Sequence, residues 1–332
     1  MKLRIISASR RTDIPAFHAP WFLDRLNAGW CAVPNPFNSK QVSRVELSAE
    51  DTVLVFWTRW ASPFMQVVEE LERRRYRFYF QYTVVGYPTE IDPHSPQLDK
   101  SIRAFQALAA RIGPHRIIWR YDPILLSSAT DHDYHLRNFT AIADALREST
   151  SRVVVSIVDP YDKAARRLAE LARAHPEYAL EEYQEQRDGP LFRRLAEIAT
   201  RRGLEITSCA EQIDFTHLGI AAGKCIDDGL IRDLFGVDVG GKKDKGQRAA
   251  CGCVESRDIG MYDSCLFGCA YCYATRSFDF AKRQLADRQS GSESMVGNYH
   301  APESPNRIGI PLLVLSTAIS RRSGRRSKRF PP

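Results

Sequence analysis

The stretch Ser101-Ile-Arg-Ala-Phe-Gln-Ala-Leu-Ala-Ala-Arg-Ile112, followed by Pro114 and then Arg116-Ile-Ile-Trp-Arg-Tyr121, decides how the chain folds. In its first part apolar side chains recur at helical spacing, which predicts a helix with one apolar face. Pro114 punctuates the helix end. The second part is a short β-branched and aromatic run, which predicts a strand. The same pair of signals repeats along the first two-thirds of the chain. Strand-like runs occupy Leu3–Ser7, Thr52–Trp57, Arg77–Val84, Arg116–Tyr121, Arg152–Val158 and Leu204–Cys209. Amphipathic stretches lie at about 15–29, 61–75, 98–112, 133–148, 163–174 and 190–202, the last closed by Gly203. Such alternation predicts parallel βα units in an α/β fold. No Gly-x-Gly-x-x-Gly turn follows a strand, so a dinucleotide-binding sheet lacks its signature. A (β/α) barrel, complete or partial, fits better.

Residues 1–209 are therefore expected to form a barrel-like core. Residues 210–290 are expected to complete the same domain as a loop-rich cysteine segment, helical again over 274–288. Residues 291–332 read as a tail, with a short apolar run at Ile308–Leu315 and a disordered last 12 residues.

The chain of 332 residues has 44% hydrophobic and 26% charged residues, the balance of a soluble globular protein. No stretch of about 18 uncharged apolar residues is present, so no membrane span is expected. The opening Met1-Lys-Leu-Arg-Ile-Ile6 runs straight into the first strand without a secretory leader, which points to the cytoplasm. The formal charge of +7 is carried by Arg307, Arg321, Arg322, Arg325, Arg326, Lys328 and Arg329. The basic balance thus belongs to the tail and does not mark a nucleic-acid surface on the body.

Polar groups gather where the strand-like runs end. These are Ser7-Ala-Ser-Arg-Arg-Thr-Asp13, Thr58-Arg59, Gln81-Tyr-Thr83, Arg120-Tyr-Asp122, Asp159-Pro-Tyr161 and Ser208-Cys-Ala-Glu211. In a βα barrel these ends share the rim where active sites lie. Asp122 and Asp159 each precede proline, as acid–base or hydroxyl-binding groups or as Asx turns. His132 and His135 could share a helix face and hold a metal, although their polar surroundings favour a solvated helix start. The charged run Lys242–Arg248 suits an anionic substrate, donors near cluster sulfurs, or a solvated loop.

The eight cysteines are Cys31, Cys209, Cys225, Cys251, Cys253, Cys265, Cys269 and Cys272. In a reducing compartment, five within 22 residues argue for metal rather than disulfides. Cys265-Leu-Phe-Gly-Cys269-Ala-Tyr-Cys272 has Cys-x3-Cys-x2-Cys spacing. Three thiolates on one tight loop can hold three corners of a [4Fe–4S] cube and leave one iron open. Four of the cysteines could instead hold zinc as a fold clip, although only one Cys-x2-Cys knuckle occurs. Cys209, Cys225, Cys251 and Cys253 would suffice for a second iron–sulfur cluster or a zinc site, or they are ordinary buried thiols. Cys31 is expected to be a packing residue.

The triplet, with the aromatic Tyr271 before its third cysteine, resembles the radical S-adenosylmethionine (SAM) superfamily motif. Gly268-Cys-Ala-Tyr-Cys-Tyr-Ala274 is most similar to the cluster loop of spore photoproduct lyase and its DNA-repair relatives. This resemblance implies a [4Fe–4S] cluster on Cys265, Cys269 and Cys272 whose open iron chelates SAM. It also implies reductive cleavage of SAM to a 5′-deoxyadenosyl radical, Tyr271 near the adenine, and an electron donor such as flavodoxin or ferredoxin. The substrate would be a small molecule or nucleic-acid-derived. In that superfamily the loop follows the first strand, whereas here it follows the last. A circularly permuted barrel reconciles the two, with the sixth strand in the role of the first. The superfamily's Gly-Gly-Glu segment is missing, and Ser9, Arg10, Arg11, Thr12 and Asp13 would occupy the corresponding loop. Ser9 and Thr12 would then contact the cofactor, and Arg10, Arg11 and Asp13 the SAM amino-acid end or the substrate. More widely, Ser7–Pro15, Asn35–Arg44 and Cys251–Ala274 resemble the bacterial family called domain of unknown function 1848, over roughly residues 1–305. A different function remains open: a non-catalytic, zinc- or iron–sulfur-stabilised module that binds nucleic acid or protein.

Overall fold

A computed structural model describes residues 3–159 and 161–302 of the chain. The apolar run Ile308–Leu315 and the basic end lie outside the described residues. In chain order the elements are β1 (Arg4–Ala8), α1 (Ile14–Phe17), α2 (Ala19–Ala28), β2 (Trp30–Asn35), β3 (Asn38–Glu46), β4 (Thr52–Thr58), α3 (Met65–Arg73), β5 (Arg77–Thr83), α4 (Leu98–Ile112) and β6 (Ile117–Ile124). They continue as α5 (His132–Leu146), β7 (Arg152–Ile157), α6 (Asp162–Ala174), α7 (Glu185–Arg201), β8 (Glu205–Cys209), β9 (Ala221–Gly223), α8 (Asp228–Phe235), β10 (Arg257–Asp258) and α9 (Phe278–Ala286).

Eight strands make one parallel sheet in the order β10-β1-β4-β5-β6-β7-β8-β9, with β10 and β9 at its edges. This is the α/β class expected. The strand that leads into the Cys265 loop is β10, not the sixth strand β8 as expected. β10 lies beside β1, with Ile6 opposite Arg257 and Ser7 opposite Asp258. Two residues are too few to carry a period-2 signal, which is why the pattern missed it. The hairpin β2–β3 was missed for another reason: most of Asn38–Glu46 is exposed and polar, so it lacks alternation.

Each central strand is buried on both faces, as in parallel sheets generally. Ile6, Leu54, Phe56, Phe78, Phe80, Trp119 and Val153 pack against the helices. Phe56 stacks on Phe80 at 4.9 Å and meets Phe64 edge-on at 5.1 Å. The alternate residues Ile5, Val53, Val55, Tyr79, Ile118 and Val154 pack instead against Cys225, Ile226, Leu230, Ile231 and Val254. The segment expected as a loop-rich insertion is therefore the cover of the sheet's second face, and it contains α8.

Residues 291–302, expected as the start of the tail, are packed on the body. Trp21 Nε1 donates to Ser292 O at 3.2 Å, Ala32 N donates to Glu293 O at 2.9 Å, and Met295 and Val296 are buried. Among the described residues no helix is long and apolar enough to cross a membrane.

His132 stands at the partly exposed start of α5, as expected, whereas His135 does not face solvent. Asp131 caps α5 by accepting from Tyr134 N at 2.8 Å, and His132 pairs with Asp188 at 2.8 Å. His135 is fully buried, with Nε2 3.0 Å from Leu125 O and Nδ1 2.9 Å from the Tyr121 hydroxyl. A carbonyl only accepts, so Nε2 carries the proton and Nδ1 accepts. Burial pushes the His135 pKa down to about 4 from 6.5. Between those values the unfolded chain binds a proton at this ring that the folded chain does not, so stability falls as pH drops through the window. The urea midpoint is expected to decline from about pH 6.5 to about pH 4, with roughly 2–3 kcal/mol traceable to this ring. His135→Gln should make that decline shallower and leave the share owed to the buried His18, whose pKa burial also lowers to about 4; an unchanged pH profile would contradict the assignment.

Candidate functional site

The carboxyl ends of parallel strands share one edge of a sheet, so the residues that follow them meet there. A cavity of about 760 Å³ opens at this edge. Its walls come from Ser9–Asp13 after β1, Arg59 after β4, Asp122 on β6, Asp159 after β7, Cys209 on β8, and both cysteine segments.

Asp258 on β10 organises the first wall. Its carboxylate accepts from Ser7 Oγ at 2.9 Å, Ser9 Oγ at 2.7 Å, Arg10 N at 3.0 Å, Arg11 Nε at 3.1 Å and Gly260 N at 2.8 Å. Ser9 and Arg11 are thus engaged with the protein itself. Asp13 caps α1, accepting from Ala16 N at 2.9 Å and from Arg59 N at 2.7 Å. Its burial, opposed by those bonds, pushes its pKa up to about 7. Two polar atoms in this wall, Arg10 Nη2 and Thr12 Oγ1, are buried with no hydrogen-bond partner. They are the groups of the Ser9–Asp13 turn left to meet a ligand.

The Cys265–Cys272 loop is tied down along its length. His94 N donates to Phe267 O at 3.1 Å, Ala270 N to Ile91 O at 2.9 Å and Cys272 N to Cys269 O at 3.1 Å. The buried His18 approaches Ser264 O through Nε2 at 3.1 Å. Gly268 has φ +77°, and a Cβ there would lie 3.1 Å from Pro93 Cγ, so glycine suits both its backbone and its space. Arg59 Nη1 donates to Cys269 Sγ at 2.9 Å and to the Tyr271 hydroxyl at 2.8 Å, while Nη2 donates to Asp92 at 2.8 Å. The Tyr271 hydroxyl in turn donates to Asp92 at 2.9 Å. All three thiols line the cavity and none is in a disulfide. Burial, then the charges of their neighbours, pushes the Cys265 and Cys269 thiols up, and Arg59 opposes this. Neighbouring thiolates here thus need positive charge beyond one guanidinium, the charge an iron–sulfur cluster or a metal ion brings. The donor set fits the expected cluster in that respect. Among the described residues no three His, Cys, Asp or Glu side chains already converge on one point that would seat a single metal ion.

The other four cysteines also meet. Cys209 Sγ and Cys225 Sγ are 3.0 Å apart, and Cys253 is within hydrogen-bonding reach of both Cys225 and Cys251. Arg120 Nη1 donates to Cys225 Sγ at 2.8 Å and its Nε to Asp122 at 2.8 Å. Asp122, expected as an acid–base group or an Asx turn, is engaged by Arg120 and by Ser156 Oγ. Asp159 pairs with Arg248, whose guanidinium sits 5.7 Å over the Tyr161 ring. From the charged run, Arg248 thus reaches the cavity mouth, while Lys242 pairs with Glu255 at 2.7 Å. Cys31 is buried in β2, away from the cavity.

Sequence reasoning assigned no role to Asp258 or Asp92, and placed Arg59 only among the polar groups at the strand ends. Asp92-Pro93 carries the same Asp-Pro signal that drew notice to Asp122 and Asp159. Asp258 had no local signal, because its importance comes from pairing across the sheet edge.

The family model described as "Domain of unknown function (DUF1848)" matches residues 5–274. No curated protein matches the chain. Among solved structures, the chain is similar to a protein from Bacteroides thetaiotaomicron provisionally described as an alpha-L-fucosidase. Identity is 12%, coverage is 86% of this chain and 91% of that one, and the TM-score is 0.28.

A Cβ on Gly260 would lie 1.7 Å from Ser9 Oγ and 2.3 Å from Ser9 Cβ. Gly260→Ala is therefore expected to force the turn and β10 apart and to lower stability by at least ~1–3 kcal/mol. A thermal melt checks this, and a variant melting like the parent would show that the close approach is not real.

Proposed function

We propose, from the premise that the chain belongs to the DUF1848 family, that it is a radical SAM-type enzyme with a [4Fe–4S] cluster on Cys265, Cys269 and Cys272. The observation that carries this reading is the triplet's setting. Three thiols stand on one tethered loop at the carboxyl edge of a parallel sheet, facing a cavity, with a guanidinium donating to one sulfur. When bound, the cluster and SAM would supply reductive cleavage of the sulfonium carbon–sulfur bond and a 5′-deoxyadenosyl radical for hydrogen abstraction. The sheet would then be a circularly permuted, barrel-like form of the superfamily core. In it β10, first in the strand order although late in the chain, takes the place of the usual first strand.

The chain's own residues have distinct tasks in this reading. Arg59 and Asp92 hold the loop and the Tyr271 ring, which lines the cavity beside the thiols as an adenine neighbour would. Arg10 Nη2 and Thr12 Oγ1 offer unmet hydrogen bonds to the polar end of SAM or to the substrate. Ser9, Arg11 and Asp13 shape that turn rather than touch the ligand, and Asp122 acts through Arg120 and Ser156. The cavity leaves room for a small or nucleic-acid-derived substrate, and a flavodoxin or ferredoxin would supply the electron.

Anaerobic reconstitution with iron and sulfide tests the proposal. The protein is expected to turn brown and to release 5′-deoxyadenosine from SAM when reduced. Cys269→Ala should lose the triplet's iron and that activity while keeping the parent's circular dichroism. Unchanged iron in that variant, or a colourless protein, would count decisively against the cluster.

A further inference from the structure

We infer that Cys209, Cys225, Cys251 and Cys253 form a second, separate thiolate site for a thiophilic metal centre. These sulfurs come from three chain segments: the end of β8, the turn between β9 and α8, and the Cys251-Gly-Cys253 strip. The structure brings the three together by specific means. Tyr79 OH and Gln81 Nε2, both on β5, donate to Cys225 O at 2.7 and 3.0 Å. Val254 N donates to Ile226 O at 3.2 Å, joining the strip to that turn. Gly252 permits the approach, since a Cβ there would lie 3.2 Å from Lys224 Cγ.

The groups aimed at these sulfurs are donors. Arg120 Nη1 donates to Cys225 Sγ at 2.8 Å, and Ile226 N donates to Cys253 Sγ at 3.3 Å. The Arg10 guanidinium adds positive charge near Cys253 and Cys225 without a hydrogen bond to either sulfur. Guanidinium and amide N–H groups cannot accept, so each sulfur they reach accepts, the role a sulfur keeps when it is bound to a metal. The four sulfurs make a continuous chain of contacts, Cys209 to Cys225 to Cys253 to Cys251, and a set of soft sulfur donors of this kind selects zinc or an iron–sulfur centre. Loading it would replace the present sulfur–sulfur contacts with bonds to the metal. This site does not depend on what the Cys265 triplet binds, although both line the same cavity.

The test is metal and sulfide analysis of the full chain purified anaerobically. It compares the parent, the Cys265→Ala/Cys269→Ala/Cys272→Ala variant and the Cys225→Ser/Cys253→Ser variant. The triplet variant is expected to retain metal. Retention of about four irons with matching sulfide identifies a cluster, and retention of about one zinc identifies a single tetrahedral ion. Cys225→Ser/Cys253→Ser should lose that share alone. If this double variant fails to fold, the single Cys251→Ala should weaken retention in the triplet background. A metal-free triplet variant in which these four cysteines alkylate as free thiols, or in which Cys209 and Cys225 are disulfide-linked, overturns the inference. Equal metal in the parent and the triplet variant would instead sink the cluster proposed on the triplet and leave the second site standing.

Discussion

A single carboxylate holds the working edge of this molecule together. Asp258 sits on a two-residue strand that has little pairing of its own, and it collects hydrogen bonds from both sides of the gap to β1. It joins the turn after β1 to the chain running toward Cys265, supported by Ile259 N donating to Ser7 O at 3.0 Å. Its acceptor capacity is spent on two serine hydroxyls, two backbone amides and one guanidinium. The turn is therefore set by hydrogen bonding rather than by side-chain volume. The cysteine loop begins a few residues downstream, so this group helps set its position relative to the Ser9–Asp13 turn, together with the bonds that tie the loop to Ile91, His94 and Arg59.

Positive charge is distributed in the cavity with a clear logic. Arg59 donates to a sulfur of the triplet and Arg120 to one of the other four, with Arg10 adding charge near them. Arg59 and Arg120 are each balanced by a carboxylate, Asp92 and Asp122 respectively. Such pairs cost desolvation, and they hold their geometry only when the remaining donors find acceptors. Here those acceptors are sulfur atoms. Hydrogen bonds to sulfur and nearby charge are the means by which a protein adjusts a thiolate-bound metal, so these arginines would tie the scaffold to the electronic character of the centres proposed on the sulfurs.

Much of this was legible in the sequence where a period exists. The six longer strands of the core and the helices between them announced themselves, because burial on both faces of β4 or β5 demands a largely apolar run. The Cys-x3-Cys-x2-Cys spacing was visible because it is local. The meeting of Cys209 and Cys225 with Cys251 and Cys253 could be raised only as one option, since nothing between those positions encodes their separation in space. Asp258 was silent for the same reason. The burial of His135 was misjudged because its polar sequence neighbours suggested water, while Leu125 and Tyr121 supply partners from elsewhere in the fold.

The cover on the sheet's second face also sets an order of events during synthesis. Ile5, Val53, Val55, Tyr79, Ile118 and Val154 are translated well before Ile226, Leu230 and Val254, which shield them. A ribosome-bound chain that has completed β7 already has the strands to align but not the lid for one side, and uncovered apolar surface of that kind invites aggregation. The newborn protein must therefore keep a greasy flank out of trouble until its cysteine-bearing third arrives, so maturation of the fold and delivery of the thiols are the same event.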